Sequence, residues 1–193
     1  VVRVGTLEMA AGGRGAGVRE GGLARRPAEV AGGAVPRGRG VGLMDLILWR
    51  HAEAEPGEPD LGRRLTSKGL KQAERMAEWL EHRLPETTRI IVSPADRTQQ
   101  TALALGRKFK TSDDVAPGAS TASVLAAAGW PDAREPVLVV GHQPTLGEVA
   151  AFLLSGEEAA WSIRKGAVWW FSNRTRLGQP GVLLKVAIGP DLV

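Results

Sequence analysis

Two histidines and two arginines sit where chemistry could collect. Arg50-His51 follows the apolar run Leu46-Ile47-Leu48-Trp49, and Gly141-His142 follows Val137-Leu138-Val139-Val140. Arg97 comes shortly after a third such run, Arg89-Ile90-Ile91-Val92. An imidazole can act as a nucleophile, a general acid or base, or a metal ligand. A guanidinium is a permanent planar cation whose forked donors grip two oxygens of one phosphate or carboxylate. A site built from Arg50, His51, Arg97 and His142 contains no anion, so the ligand it calls for is an anion, with phosphate the best match. Alone, a histidine after a strand is more often a hydrogen-bonded structural residue. It is the pairing of two such histidines with two arginines that points to function.

Other candidates are weaker. His82, between Glu81 and Arg83 in a helical stretch, reads as a solvated surface residue, and Arg63-Arg64 as either a solvated pair or a substrate contact. His51-Ala52-Glu53 has the H-x-E spacing of zinc deaminases, but the chain has no cysteine to complete such a site. A His/His/Glu metal site stays formally open, and the expectation is no metal and no cofactor.

The elements that must position these residues follow from periodicity. Residues 44–49 form a short apolar strand. Thr66 is placed to cap a helix running to about Leu84, with Leu70, Ala73, Ala77, Leu80 and Leu84 on its apolar face. The second strand, 89–92, runs into Ser93-Pro94-Ala95-Asp96, which reads as an N-cap with Pro at the first helical position and an acid two residues later. That helix is expected to reach about Phe109, with Thr98, Ala102, Leu105 and Phe109 on one face. A loop over 111–119 precedes a short helix, 120–128, stopped by Gly129. The third strand, 136–140, leads to a helix opened by Pro144, with Leu146, Val149, Ala150, Leu153 and Leu154 at helical spacing, ended by Gly156. Strands over 168–172 and 182–188 flank a turn-rich 173–181, and Trp169-Trp170 suits core on one side and helix cover on the other. Strands alternating with helices imply an α/β three-layer α/β/α sandwich around a mostly parallel sheet. In such a sheet ligands bind beyond the carboxyl ends of the strands, where His51, His142 and Arg97 are expected.

Charge and composition divide the chain. The whole has 25 Lys+Arg, 21 Asp+Glu and no Cys, so disulfides, thiolate metal sites and a cysteine nucleophile are excluded. Seven Arg, three Glu and 12 of the 25 Gly precede Met44, while residues 44–193 carry 18 basic and 18 acidic side chains. Residues 1–43 lack Phe, Trp, Tyr and Ile and show no sustained period, so they are expected not to pack a core. They read as a Gly/Arg-rich leader outside the functional domain, or as an upstream read-through with Met44 the natural start. Arg25-Arg26 is followed by no apolar stretch, which rejects a twin-arginine signal. Gly13, Gly15 and Gly17 lack the spacing and the strand–turn–helix setting of a dinucleotide loop. The segment also lacks the aromatics and lysine clusters of a nucleic-acid arm. No apolar run approaches the roughly 20 residues of a membrane span. The expectation is a single domain over 44–193 in a reducing, cytoplasmic compartment, without nucleic-acid or membrane partners.

Four blocks together carry a family resemblance. Leu46-Ile47-Leu48-Trp49-Arg50-His51-Ala52 resembles the strand and "RHG" signature of the histidine phosphatase (phosphoglycerate mutase-like) superfamily. Leu65-Thr66-Ser67-Lys68-Gly69 with Gln72-Ala73 is similar to its "LTxxGxxQA" helix start. Ser93-Pro94 through Arg97, with Gln100-Thr101-Ala102, is similar to "SPxxRAxQTA", and Val139-Val140-Gly141-His142-Gln143-Pro144-Thr145-Leu146 to a late "VGHxPxL" block. The short chain and the wording of the last block point to the small SixA-type phosphohistidine phosphatases. The resemblance implies a phosphoglycerate mutase-like fold and a metal-independent phosphatase. In it His51 becomes phosphohistidine, Arg50 and Arg97 hold the phosphoryl oxygens, and His142 donates to the phosphoryl group.

The resemblance further implies a monomer whose partner is a phosphohistidine-bearing protein, such as a histidine phosphotransfer domain. His51 must then be neutral, and cationic neighbours would help by lowering its pKa. The chain departs from the pattern at Ala52, which replaces Gly, and it shows no motif for a general acid. Glu53, Asp60, Asp113 and Asp114 are candidates, and the lack of a clear one favours a P–N substrate. A broad small-molecule phosphomonoesterase and a non-catalytic phosphate binder are the alternatives.

Overall fold

A computed structural model describes residues 44–176 and 179–193. The expectations for residues 1–43 lie outside the described residues. Six strands form one sheet in the order β3-β2-β4-β1-β5-β6. β1 is Asp45–Arg50, β2 Arg89–Val92, β3 Lys110–Thr111, β4 Val137–Gly141, β5 Val168–Arg176 and β6 Gln179–Ile188. β1, β2, β3 and β4 pair in parallel, while β5 runs antiparallel to both β1 and β6. The helices are α1 Ser67–Glu81, α2 Asp96–Leu103, α3 Thr121–Ala128 and α4 Thr145–Ser155. This is the expected α/β sandwich, with its parallel part confined to four strands.

The central strands are apolar on both faces because both faces are covered. Along β1, Leu46 and Leu48 enter a core with Val137, Val139, Leu146, Val149 and Ala150. Ile47 and Trp49 enter the opposite core, with Met76, Ala77, Leu80, Leu138 and Val140. These four of the six β1 side chains are fully buried, the aliphatic ones each contributing about 1.5–3 kcal/mol. That double anchoring fixes the register of the strand that ends at Arg50-His51.

The helix boundaries hold in part. Thr66 accepts a hydrogen bond from the Gly69 N–H (2.8 Å) and caps α1 as expected. The α1 stripe differs: Leu70 is 45% exposed, and Met76 takes the central buried place. Gly129 and Gly156 end α3 and α4 with positive φ. Three expectations need correction. Ser93 is not the cap of α2, which begins at Asp96 behind Ala95. α2 stops at Leu103 rather than near Phe109, with Gly106 at φ +69° turning the chain. The turn-rich stretch after 172 extends β5 and β6 into a long antiparallel pair, because their main-chain groups find partners in each other.

Candidate active site

The parallel strands end in register. The His51 N–H donates to the Gly141 carbonyl (3.1 Å) and the Ser93 N–H to the Val140 carbonyl (3.1 Å). The ladder thus runs one residue past the strands and sets His51, Ser93 and His142 side by side. The His51 and His142 ring centroids are 5.3 Å apart, with the rings tilted by 54°. His51, His142 and Arg97 are 8%, 4% and 4% exposed.

His51 has a defined tautomer. Its Nδ1 lies 2.7 Å from the Ala52 carbonyl oxygen. A carbonyl only accepts, so Nδ1 carries the hydrogen and the Nε2 lone pair is free. Burial pushes the His51 pKa down to about 4. The Ala52 bond opposes this, and Arg97, Arg50 and Arg63 add smaller lowering effects. The cation effect expected from sequence exists, but burial is the larger cause. His142 is driven to about 3, first by burial and then by His51 and Arg97, against a raising effect of Asp60. Both rings are neutral near pH 7.

The arginines are held by oxygen acceptors from other segments. Arg50 Nη1 donates to the Ile163 carbonyl (2.6 Å). Arg97 Nη1 donates to the Asp60 carbonyl (2.5 Å) and Nη2 to Asp60 Oδ2 (2.8 Å). Among the described residues, Arg50 Nε, Arg97 Nε and His142 Nδ1 are buried without a partner. Buried polar groups are nearly always satisfied, and two guanidiniums beside two neutral imidazoles are chemistry suited to an oxyanion.

The motif residues between these groups act as ties. Ala52 N–H donates to Thr101 Oγ1 (3.1 Å), which donates to the Arg97 carbonyl (2.7 Å). Leu65 N–H donates to Gln100 Oε1 (2.7 Å), and Glu53 N–H to Gln72 Oε1 (3.0 Å). Gln143 bonds both ways with the loop after α4, donating to the Trp161 carbonyl and accepting from Ile163 N–H (3.3 Å). It thereby steadies the carbonyl that holds Arg50. A Cβ at Gly69 would stand 1.9 Å from the Glu53 carbonyl oxygen, and one at Gly147 1.8 Å from that of Trp161. Those glycines let α1 and α4 approach the two loops. The Ala52 departure is accommodated, its methyl packing with Ala54, Leu65 and Ala73.

Of the sequence candidates for an acid, Asp60 alone reaches the site. It bonds Arg97 and also Arg63 Nη1 (3.0 Å), and these bonds hold its carboxyl below the usual range. Glu53 is paired with Lys68 (3.1 Å). Asp113 and Asp114 lie in a single helical turn after β3, where Asp114 accepts from Ser112 Oγ (2.9 Å). Of the Arg63-Arg64 pair, Arg63 binds Asp60 and the Glu55 carbonyl, while Arg64 is exposed. His82 sits at the exposed end of α1.

The local sequence casts Ser93 as a helix cap, yet its Oγ lies 2.7 Å from His142 Nε2. The position after a buried strand, level with His51 and His142, was the signal available. Among the described residues, no group of three His, Cys, Asp or Glu side chains is arranged to hold a metal ion.

The model of the histidine phosphatase superfamily (branch 1) matches residues 46–118. A phosphohistidine phosphatase SixA homolog of Haemophilus influenzae is 32% identical, over 57% of this chain and 77% of that protein. The chain belongs to the histidine phosphatase superfamily. Phosphohistidine phosphatase SixA of Escherichia coli is 30% identical, over 59% of this chain and 76% of its own length. A solved structure of the protein histidine phosphatase SixA complexed with tungstate matches with a TM-score of 0.61 at 25% identity. It covers 77% of this chain and 98% of that one. The superfamily's sheet is therefore the one described above. Among the described residues no helix is long and apolar enough to cross a membrane.

Proposed function

We propose that the chain hydrolyses protein phosphohistidine through a phosphoryl-enzyme intermediate on His51, without a metal ion. The observation that carries this reading is the free Nε2 of a neutral, buried His51 whose ring centroid lies 5.3 Å from that of His142, within the electrostatic reach of Arg97 and Arg50. The relatives named as phosphohistidine phosphatases support the substrate class, and tungstate, bound by the SixA neighbour, is a tetrahedral oxyanion.

In the first step the Nε2 lone pair attacks phosphorus, the new N–P bond forms, and the substrate P–N bond breaks. The substrate imidazole departs with the electron pair, neutral when its other nitrogen already bears a proton. Arg50 and Arg97 hold the phosphoryl oxygens, and His142 Nδ1–H donates to a third. In that tautomer Ser93 Oγ, which accepts from the Ala95 N–H (3.4 Å), donates to His142 Nε2 (2.7 Å). In the second step water attacks phosphorus, and the proton it loses passes to a phosphoryl oxygen of the product. His51 Nε2 regains its lone pair and inorganic phosphate leaves. Nδ1–H stays on the Ala52 carbonyl throughout, so His51 departs as a neutral imidazole. Phosphoryl transfer asks chiefly for positioning and charge, which these four side chains supply.

Imidazole leaves phosphorus more readily than an alkoxide, so a dedicated acid is not needed. Asp60 is engaged by two arginines, which leaves it poorly suited to that role. We assign the activity to residues 44–193 and expect removal of residues 1–43 to leave turnover intact. The partner on this reading is a protein that presents phosphohistidine, such as a histidine phosphotransfer domain.

The test is to incubate wild type and His51→Ala with a phosphohistidine peptide and with an aryl phosphate. Wild type is expected to release phosphate from the peptide and His51→Ala to release none. Turnover of the aryl ester alone would instead support a small-molecule phosphomonoesterase. Equal rates for the two proteins would refute the nucleophile.

A further inference from the structure

A groove of about 580 Å³ opens beside Arg50, between α1 and the loop after α4. Its cations are Arg50, Lys68, Lys71, Arg75, Arg164 and Lys165, against two carboxylates, Glu53 and Asp191. Both carboxylates are engaged, Glu53 by Lys68 (3.1 Å) and Asp191 by Arg164 (3.0 Å). Lys71, Arg75 and Lys165 are exposed and make no ion pair among the described residues. The segregation is local, because residues 44–193 carry equal numbers of basic and acidic side chains.

The placement does not serve the fold. Lys68 lies in the first turn of α1, at the positive end of the helix dipole, where a cation is unfavourable. Lys71 and Arg75 are like charges four residues apart, a spacing that weakens a helix. From Lys68 to Arg75 the cations extend along about 10 Å of helix. Of the side chains proposed to hold the phosphoryl group, only Arg50 lines the groove, so its remaining cations match a second, extended anion beside the first.

We infer that this groove docks acidic side chains flanking the phosphohistidine of a partner polypeptide, and so selects phosphohistidines in acidic surroundings. This rests on the function proposed above. Complementary charge of this kind raises association rates and excludes basic partners, and it weakens with salt.

The test uses the full chain and two 15-residue peptides, each with one phosphohistidine flanked by four Glu or by four Gln. Phosphoramidate, too small to reach α1, reports the chemistry alone. At low salt, kcat/KM is expected to favour the Glu peptide by roughly tenfold or more, chiefly through KM. In the Lys71→Glu/Arg75→Glu variant that preference should vanish while phosphoramidate hydrolysis is unchanged. Equal use of both peptides by wild type would overturn the inference and leave the proposed function standing. Loss of phosphoramidate hydrolysis in the variant, at an unchanged melting temperature, would also overturn it, by tying these cations to the chemistry. Sedimentation of wild type, and not the variant, with phosphatidylglycerol vesicles, together with equal peptide use, would reassign the groove to a lipid surface. No turnover of phosphoramidate or either peptide by wild type would sink the proposed function itself.

Discussion

Among the described residues, the positive charge at the strand ends and that along α1 are built in opposite ways. At the strand ends, Arg97 is buried and Arg50 half-buried, each clamped by a fixed acceptor, and both neighbouring imidazoles are kept neutral. Along α1, Lys71 and Arg75 stand in solvent with no ion-pair partner among the described residues. Burial lowers the effective dielectric, so the first cluster acts strongly at short range and costs no reorganisation when charge moves. Exposure leaves the second cluster screened and adaptable, suited to attraction and selection. On the function proposed here, one kind of charge serves chemistry and the other capture.

Substitutions at the strand ends should separate the two clusters most sharply. His51→Ala is expected to lower kcat/KM by roughly 10⁴ or more for every substrate, read as turnover of both phosphoramidate and peptide. Arg97→Ala should cost roughly 10²–10³, because a buried donor to the developing charge is removed. Retained activity in Arg97→Ala would break the distinction between the clusters.

Ser93→Ala leaves His142 Nε2 buried without its partner and should lower kcat by about tenfold with KM little changed, since an unpaired buried group costs about 1–3 kcal/mol. A shift confined to KM would mean that Ser93 does not act through His142.

Acid should reach only the buried cluster. With His51 at about 4 and His142 at about 3, neither ring limits activity from pH 8 down to about 5, and protonation of His51 ends attack below about 4. Stability follows the same groups. Their folded pKa values lie below the unfolded value near 6.5, so the unfolded chain binds more protons between pH 6.5 and about 4. Stability is then full above pH 6.5 and falls on acidification by up to about 1 kcal/mol per pH unit for each ring. Urea unfolding across that window should show a smaller loss for His51→Gln than for wild type.

Salt should reach only the exposed cluster. Between 0.1 M and 1 M the screening length shrinks from about 10 Å to about 3 Å. The kcat/KM for the Glu peptide is expected to fall several-fold over that range and that for phosphoramidate to stay nearly level. Parallel falls would merge the two clusters into one field.

Much of the strand-end cluster was legible from sequence and little of the other. Of the four proposed site residues, Arg50, His51 and His142 lie at the ends of apolar runs and Arg97 in the first turn of the helix after another, and the topology of a parallel sheet converts that placement into proximity. What stayed hidden depended on contacts across the chain. Ser93 has the local form of a helix cap, and only the parallel pairing of β2 with β4 brings it to His142. Asp60 lies in a polar loop with no periodic signal, and its role becomes visible when that loop folds against α2. Leu70 has the spacing of a core residue but finds no neighbour to cover it. β3, two residues long, is a strand only because Ile91 and Val92 offer it an edge. The groove is not legible in the sequence because its cations come from Arg50, from α1 and from residues 164–165, far apart in sequence and within a stretch, 44–193, whose basic and acidic side chains balance.

The central claim is that His51 Nε2 takes the phosphoryl group. Rapid mixing with a ³²P-labelled phosphohistidine peptide, an alkaline quench that preserves P–N bonds, and fragmentation of the labelled protein test it directly. The account predicts a transient label on His51 Nε2 that decays into inorganic phosphate at the rate of turnover. Turnover without labelled protein, or a label on His142 or on Nδ1 of His51, would contradict it.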